Sequence, residues 1–324
     1  MSPKWARRLS LLNVGVNVLI VVTGGAVRLT DSGLGCPSWP NCQPGSFHAT
    51  AEMGMHGAIE WGNRLFGAVV GLVAIAAFVA AVMRRPRRAS LVWLTGTVAV
   101  GVAAQAVIGA FTVGADLTPW LVSVHFLVSA GILVAAYAAW VRSGEPDGRV
   151  RALTPRPVRA LVWLIAAVAV ATLAIGTMVT GAGPHAGDPD SPRLGFDLDT
   201  VTQFHADAVF LLVGLSIALV FTLRAVDAPK RLRNAALLLV GMEFAQGAIG
   251  LTQYFTGLPV LLVGAHVFGA VLLWVAVLRL LFATRTRLPD TRPPRQRDVL
   301  TFEDDEPDAD DEREAAAEAS RAGL

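Results

Sequence analysis

Eight mainly apolar runs recur along the chain, at 9–27, 57–83, 91–113, 120–141, 158–180, 203–223, 235–255 and 259–282. Each is close to the length of about 20 residues that an α-helix needs to cross a bilayer. The pattern therefore predicts an all-α integral membrane protein with eight transmembrane helices. The first run follows Lys4, Arg7 and Arg8, as a secretory leader would. Thr23-Gly24-Gly25-Ala26-Val27-Arg28 offers no small-residue cleavage site, which predicts a retained span. Polar interruptions are few. Glu60, Asn63 and Arg64 fall within five residues at the head of the second run. Ionisable side chains inside a span usually face a bundle interior or cavity and mark functional sites. The alternative is a wet helix start just outside the hydrocarbon.

The apolar pattern repeats together with its interruptions. Gln105-Ala106-Val107-Ile108-Gly109 returns as Gln246-Gly247-Ala248-Ile249-Gly250, an offset of 141 that also carries Leu117 to Leu258 and His125 to His266. Asn63 falls on His205 at an offset of 142, and Gly24 and Val27 fall on Gly176 and Val179. These correspondences predict two pseudo-repeated four-helix bundles, with the chemistry-bearing side chains on the even-numbered helices. In the second copy, His205 and His266 lie at similar depth on two helices. Imidazole binds iron well and a bundle interior can hold a flat macrocycle, so the pair suits the axial ligands of one haem; a lone buried histidine is more often a hydrogen-bonded core residue. In the first copy the equivalent pair is Asn63 and His125. Asn is a poor iron ligand, while Glu60 lies one turn before Asn63 and His56 one turn further back, on the same face. One half then suits a held cofactor and the other a processed ligand.

Composition agrees with the membrane class: of 324 residues, 54% are apolar and 16% charged, against about 25% charged in soluble domains. Of the 27 Lys and Arg, all but Arg28, Arg64 and Arg193 lie in the segments on one side of the spans. The positive-inside rule makes that side cytoplasmic and places both termini there, in a cell membrane. The division expected is a cytoplasmic N-terminus at 1–8, a first half at 9–141, a cytoplasmic linker at 142–157, a second half at 158–282 and a disordered acidic tail at 283–324. Ten of the 25 acidic residues lie between Glu303 and Glu318 in that tail, which carries too little apolar surface to fold alone.

Both cysteines, Cys36 and Cys42, fall in the first outer loop. A close pair outside the membrane can oxidise and stay oxidised; free thiols, or a zinc site completed by His48 or His56, are the alternatives. Gln105 and Gln246 read as interhelical hydrogen-bond formers, with a haem contact as the alternative. Glu243 reads as a proton-path residue or a structural hydrogen-bond partner, and His185 and Asp188 as part of a cap over the second-half site.

The run Thr23-Gly24-Gly25-Ala26-Val27-Arg28-Leu29-Thr30-Asp31-Ser32-Gly33-Leu34-Gly35-Cys36-Pro37-Ser38-Trp39-Pro40 resembles the first helix and loop of the haem A synthases. Glu60–Arg64, Thr180–Asp188 and the later histidines resemble that family as well, and the likeness covers about residues 9–282. It implies oxidation of the C8 methyl of haem O to a formyl group through hydroxylated intermediates, for aa3-type cytochrome oxidase. It further implies a haem b cofactor on His205 and His266, His125 as ligand to the substrate iron, and Glu60 as catalytic carboxylate. The family often has His where this chain has Asn63, which leaves His56 or water as the other partner of the substrate iron. Arg64 and Arg28 are candidates for pairing the substrate propionates, with membrane-interface anchoring as the alternative.

The partners implied are haem O, the farnesyltransferase that makes it, membrane lipids and an electron acceptor that the sequence does not name. No nucleic acid is expected, and self-association into a homo-oligomer is open. Two rival functions are a b-type membrane cytochrome passing electrons between quinone and the outer cysteines, and a transporter built from repeats.

Overall fold

The computed structural model describes residues 2–289. Eight helices, each long and apolar enough to cross a membrane, make up nearly all of it. They are α1 (Pro3–Leu29), α2 (Gly54–Met83), α3 (Ala89–Gly114), α4 (Pro119–Gly144), α5 (Arg156–Ala182), α6 (Leu198–Ala225), α7 (Lys230–Phe255) and α8 (Val260–Ala283). Several begin before the apolar runs do. α1 takes in most of the expected N-terminal segment 1–8, because hydropathy reports the hydrocarbon layer whereas helical hydrogen bonds continue beyond it. Prolines set many of the starts. Pro3 and Pro119 occupy the first helical turn, and Pro155, Pro229 and Pro259 are N-cap residues, where a missing N–H costs little.

Helices α1 to α4 pack as a closed ring of neighbours, and α5 to α8 do the same. Between the rings, α1 touches α8, α4 touches α5, and α4 touches α8. Exchanging α1 with α5 and α4 with α8 turns this set of contacts into itself, so two like-oriented copies face one another about a pseudo-two-fold axis. Local detail repeats too. Leu117 and Leu258 both have positive φ, at 57° and 59°. The N–H of each reaches back to an equivalent carbonyl, of Thr112 at 2.9 Å and of Gln253 at 2.8 Å. Across the join, the Trp274 indole N–H donates to the Ala130 carbonyl at 3.0 Å.

The well-packed core is displaced toward the end that carries the basic loops. Leu91 and Val98 of α3, Leu219 and Leu223 of α6, Leu232 and Leu239 of α7, and Leu278 and Leu280 of α8 are fully buried there. Ala74, Ala77, Ala80 and Ala81 line the buried stripe of α2, small residues that let helices approach closely where lipid supplies no hydrophobic drive. Large apolar side chains such as Leu72, Phe111, Phe210 and Leu261 point outward, as a lipid-facing surface requires.

At the basic end the structure departs from the expected linker and tail. α4 runs on to Gly144 and α5 starts at Arg156, with β1 (Val150–Ala152) between them. β1 pairs antiparallel with β2 (Arg285–Arg287), matching Val150 to Arg287. Thr284–Pro289, assigned to a disordered tail by composition, thus begins as an ordered strand. Backbone pairing fixes it, and the Arg287–Glu145 ion pair at 3.0 Å adds to it. The acidic stretch beyond lies outside the described residues. Asp147 joins the α2–α3 and α4–α5 loops through Arg88 and Arg142, at 2.9 and 2.8 Å. Burial works against its charge, but hydrogen bonds from Arg142 and Arg88 outweigh it and hold the carboxyl below the usual carboxylate range. A carboxylate with a lowered folded pKa stabilises above its unfolded value and loses that contribution as pH falls through the folded one. Asp147→Asn is expected to lower thermal stability at pH 7 by at most about 1 kcal/mol, because the side chain is partly exposed. The gap between the two proteins, read by thermal unfolding in detergent, should close in acid.

Candidate functional site

The three histidines singled out by the repeat lie in the looser half of the bundles, at the end opposite the basic loops. His205 sits in the third turn of α6, whose start is fixed by Asp197. The Asp197 carboxylate accepts from the Thr200 N–H at 2.8 Å and from its hydroxyl at 2.6 Å. His266 sits in the second turn of α8. The two rings stand with centroids 6.4 Å apart and planes at 70°. Nδ1 of His125, of His205 and of His266 is buried without an ordinary hydrogen-bond partner, His205 only leaning toward the Thr172 backbone. Buried polar atoms are normally paired, so the unpaired Nδ1 atoms of these three histidines, at repeat-related positions, set them apart from most buried polar groups.

Each histidine is seated by its neighbours. The Gln246 amide N–H donates to the His266 carbonyl at 2.9 Å, and the repeat-related Gln105 donates to the His125 carbonyl at 2.8 Å. Gln105 also reaches the Ser129 hydroxyl. Both glutamines therefore make interhelical hydrogen bonds, as the sequence reading expects. Glycines make room for the rings. A Cβ on Gly176 would lie 3.1 Å from His205 Cε1, one on Gly250 3.3 Å from His266 Cε1, and one on Gly109 3.6 Å from His125 Cε1. Sequence reasoning did not assign these glycines a role. The signal for Gly109 and Gly250 is the repeated Gln-x-x-x-Gly spacing, whose glycine stands 16 residues before the histidine in each copy, and the signal for Gly176 is its correspondence with Gly24. Gly176→Ala is expected to cost about 1–3 kcal/mol by overpacking against His205. Gly109→Ala, where the contact is of ordinary length, should be tolerated; thermal unfolding of the two variants checks the contrast.

The first half carries a second constellation. Glu60 is 4% exposed, so it is not part of a wet helix start. One carboxylate oxygen accepts from the Cys36 backbone N–H at 2.6 Å, and the other pairs with Arg64 at 2.6 Å. Arg64 also donates to the carbonyls of Ser38 at 2.7 Å and Cys36 at 2.9 Å. Cys36 and Cys42 form a disulfide with Cα atoms 4.4 Å apart, within the normal range, which removes their thiols as zinc ligands. Glu60 is thus covered by a disulfide-closed loop that Arg64 anchors. The loop rests closely on α2: a Cβ on Gly35 would lie 2.4 Å from the His56 backbone.

His56 is held above this site, its Nδ1 3.0 Å from the Ser32 hydroxyl. Asn63 Oδ1 accepts from the Thr23 hydroxyl at 2.8 Å, a partner that sequence reasoning did not single out. Arg28 donates to the carbonyls of Thr180, at 2.6 Å, and His185. His185 in turn contacts the Leu258 carbonyl at 3.0 Å, and the Gly33 N–H meets the Gly187 carbonyl at 2.8 Å. The two long loops of this end therefore lock together over the join, with Arg28 and Arg64 both directed at protein carbonyls. Glu243, 2% exposed, accepts from the Ser216 hydroxyl at 2.7 Å through one oxygen. Asp188 accepts from the Asp190 N–H at 2.9 Å, within its own loop.

Fold and site together define a multi-pass membrane protein of two repeated four-helix bundles, with a histidine pair in one copy, and a histidine on α4 and a buried carboxylate on α2 in the other. The chain belongs to the cytochrome oxidase assembly protein family (COX15-CtaA), whose model matches residues 7–278. It is 28% identical over 327 aligned positions to a haem A synthase of Caulobacter sp., covering 83% of this chain and 92% of that one. It is 27% identical over 265 to a haem A synthase of Symbiobacterium thermophilum, covering 76% and 85%. Over 205 residues it is also 29% identical to a protoheme IX farnesyltransferase of Halobacterium salinarum, covering 52% of this chain and 43% of that protein.

Proposed function

We propose that this protein is a haem A synthase, oxidising the C8 methyl of haem O to a formyl group for an aa3-type oxidase. The observation that carries the reading is the asymmetry of the repeat. One copy keeps two facing imidazoles, and the other replaces one of them with Asn63 and adds the buried Glu60. A transporter gives neither feature a task, and a simple b-type cytochrome gives Glu60 none.

The second-half pair fits a haem b. Iron–imidazole bonds of about 2.0 Å put two ligating ring centroids about 6.3 Å apart, against 6.4 Å between His205 and His266. Bound there between His205 and His266, haem b would supply reversible one-electron transfer. The chain's part is to hold the ligands, through the Gln246 clamp and the Gly176 and Gly250 clearances.

In the first half His125 holds the substrate iron, and Glu60 accepts a proton or positions water as the methyl takes oxygen from water to become hydroxymethyl and then the hydrated aldehyde. Each stage releases two protons and passes two electrons to an external acceptor, and the hydrate then loses water to leave the formyl group. Arg64 and the Cys36 N–H fix the direction of the Glu60 carboxylate, and their loop shields it from solvent. Because both arginines are engaged with carbonyls, substrate propionates are not assigned to them. The site lies on the outer side, with the basic loops and termini in the cytoplasm. A working association with the farnesyltransferase that makes haem O would pass a hydrophobic intermediate directly from one membrane enzyme to the next. The test is expression in a host that makes haem O and lacks its own haem A synthase. Haem A, identified by chromatography and mass, is expected in the membranes; unconverted haem O would sink the reading.

A further inference from the structure

The repeat offers an internal comparison at one position. On the second-half side of it, His205 fills the space in front of Gly176, whose Cβ would lie 3.1 Å from the ring. Gly24 corresponds to Gly176 and Asn63 to His205. A Cβ on Gly24 would meet no atom within 4 Å, so the shorter Asn63 side chain leaves open the room that an imbedded imidazole takes in the other copy. The neighbouring residue changes with it: Thr23 stands where the second half has Ile175. Thr23 donates to Asn63 Oδ1 at 2.8 Å. That bond orients the amide and leaves its Nδ2 hydrogens as the free donor. His125, across the bundle, keeps both elements of its seat, the Gln105 clamp and the Gly109 clearance.

His56 does not replace the missing ligand. It lies seven residues before Asn63, about 10 Å along the helix axis at 1.5 Å per residue, and its Nδ1 is engaged with Ser32. Glu60 is turned to Cys36 and Arg64. Neither side chain stands in for the second histidine.

We propose that the first half holds the haem O iron through His125 alone and leaves its other face open, framed by Gly24, Thr23 and Asn63, to a diatomic-sized ligand that accepts a hydrogen bond from Asn63. This deepens the synthase reading and rests on it. A five-coordinate iron under a neutral donor admits small ligands, whereas a bis-imidazole iron is closed; polarity and donors on that face set what binds.

Carbon monoxide is the probe, added to the reduced full-length protein purified from cells that co-produce haem O. The haem O content is measured in the same sample by extraction. About one CO per haem O is expected in the difference spectrum, falling roughly tenfold or more in Asn63→His as the second imidazole closes the face. The low-spin haem b signal, unchanged in amount in Asn63→His, reports that the variant is folded. Asn63→Ala should still bind CO but with a raised C–O stretching frequency, a shift that a merely structural asparagine would not produce. Haem O present without CO binding overturns the proposal and leaves the synthase reading standing, as does CO binding undiminished in Asn63→His. Absence of haem O and haem A from the protein overturns the synthase reading and the open-face proposal with it.

Discussion

Glu60→Gln is expected to abolish most of the proposed conversion of haem O and to leave the proposed haem b in place. The expected loss is about 10²–10⁴-fold, the range for removing a positioned acid or base. Gln is the informative substitute because its amide oxygen can still accept the Cys36 N–H that now reaches Glu60 at 2.6 Å. Either substitution removes the charge that Arg64 pairs with, and Glu60→Ala also removes the acceptor for Cys36 and empties the space. Breaking a buried pair from one side costs about 3–5 kcal/mol, which would confound a kinetic loss with a loosened loop. Conversion is measured as haem A and hydroxylated haem O formed per purified protein, with haem b quantified in parallel. Near-normal conversion in Glu60→Gln would make Glu60 an anchor for the disulfide loop and nothing more.

The second large effect is at the histidine pair. His266→Ala and His205→Ala should each leave at most about half of the wild-type haem b, and that in a high-spin form, since one of the two imidazoles assigned to its iron is gone. His125→Ala should leave haem b intact and lose haem O. The two halves are separate rings of helices, so the losses should not cross over. Difference spectra and extracted haem from the three variants decide this. A His125→Ala protein that lost haem b in proportion would refute the division between the copies.

Much of this architecture was legible along the chain because two signals are strong in membrane proteins. A bilayer imposes a fixed apolar length on every span, and an internal repeat reveals itself wherever polar residues are rare enough to stand out. His125 and His266, Gln105 and Gln246, and Leu117 and Leu258 all came from that repeat, and all occupy equivalent places. What the chain did not disclose is what depends on contact. That Gly176 clears the ring of His205 follows from the distance between α5 and α6, which no pattern within either helix records. Arg28 and Arg64 carry charges suited to propionates, yet both are taken up by loop carbonyls folded over them. The pairing of Val150–Ala152 with Arg285–Arg287 joins segments whose composition reads as linker and tail. Thr23 was invisible for a similar reason: a threonine in a span is ordinary until its hydroxyl is seen on Asn63.

A resident haem in one copy and a processed haem in the other are the centre of the proposed function, and one determination reaches both. It is the identity and amount of every haem extracted from the full-length protein, purified after co-expression with a source of haem O. The proposed function predicts haem b together with haem O, hydroxylated haem O or haem A, in comparable amounts. Haem b alone, with membranes unable to convert haem O, would reduce the molecule to an electron carrier. No haem of any kind would contradict the ligand assignments to His125, His205 and His266 outright.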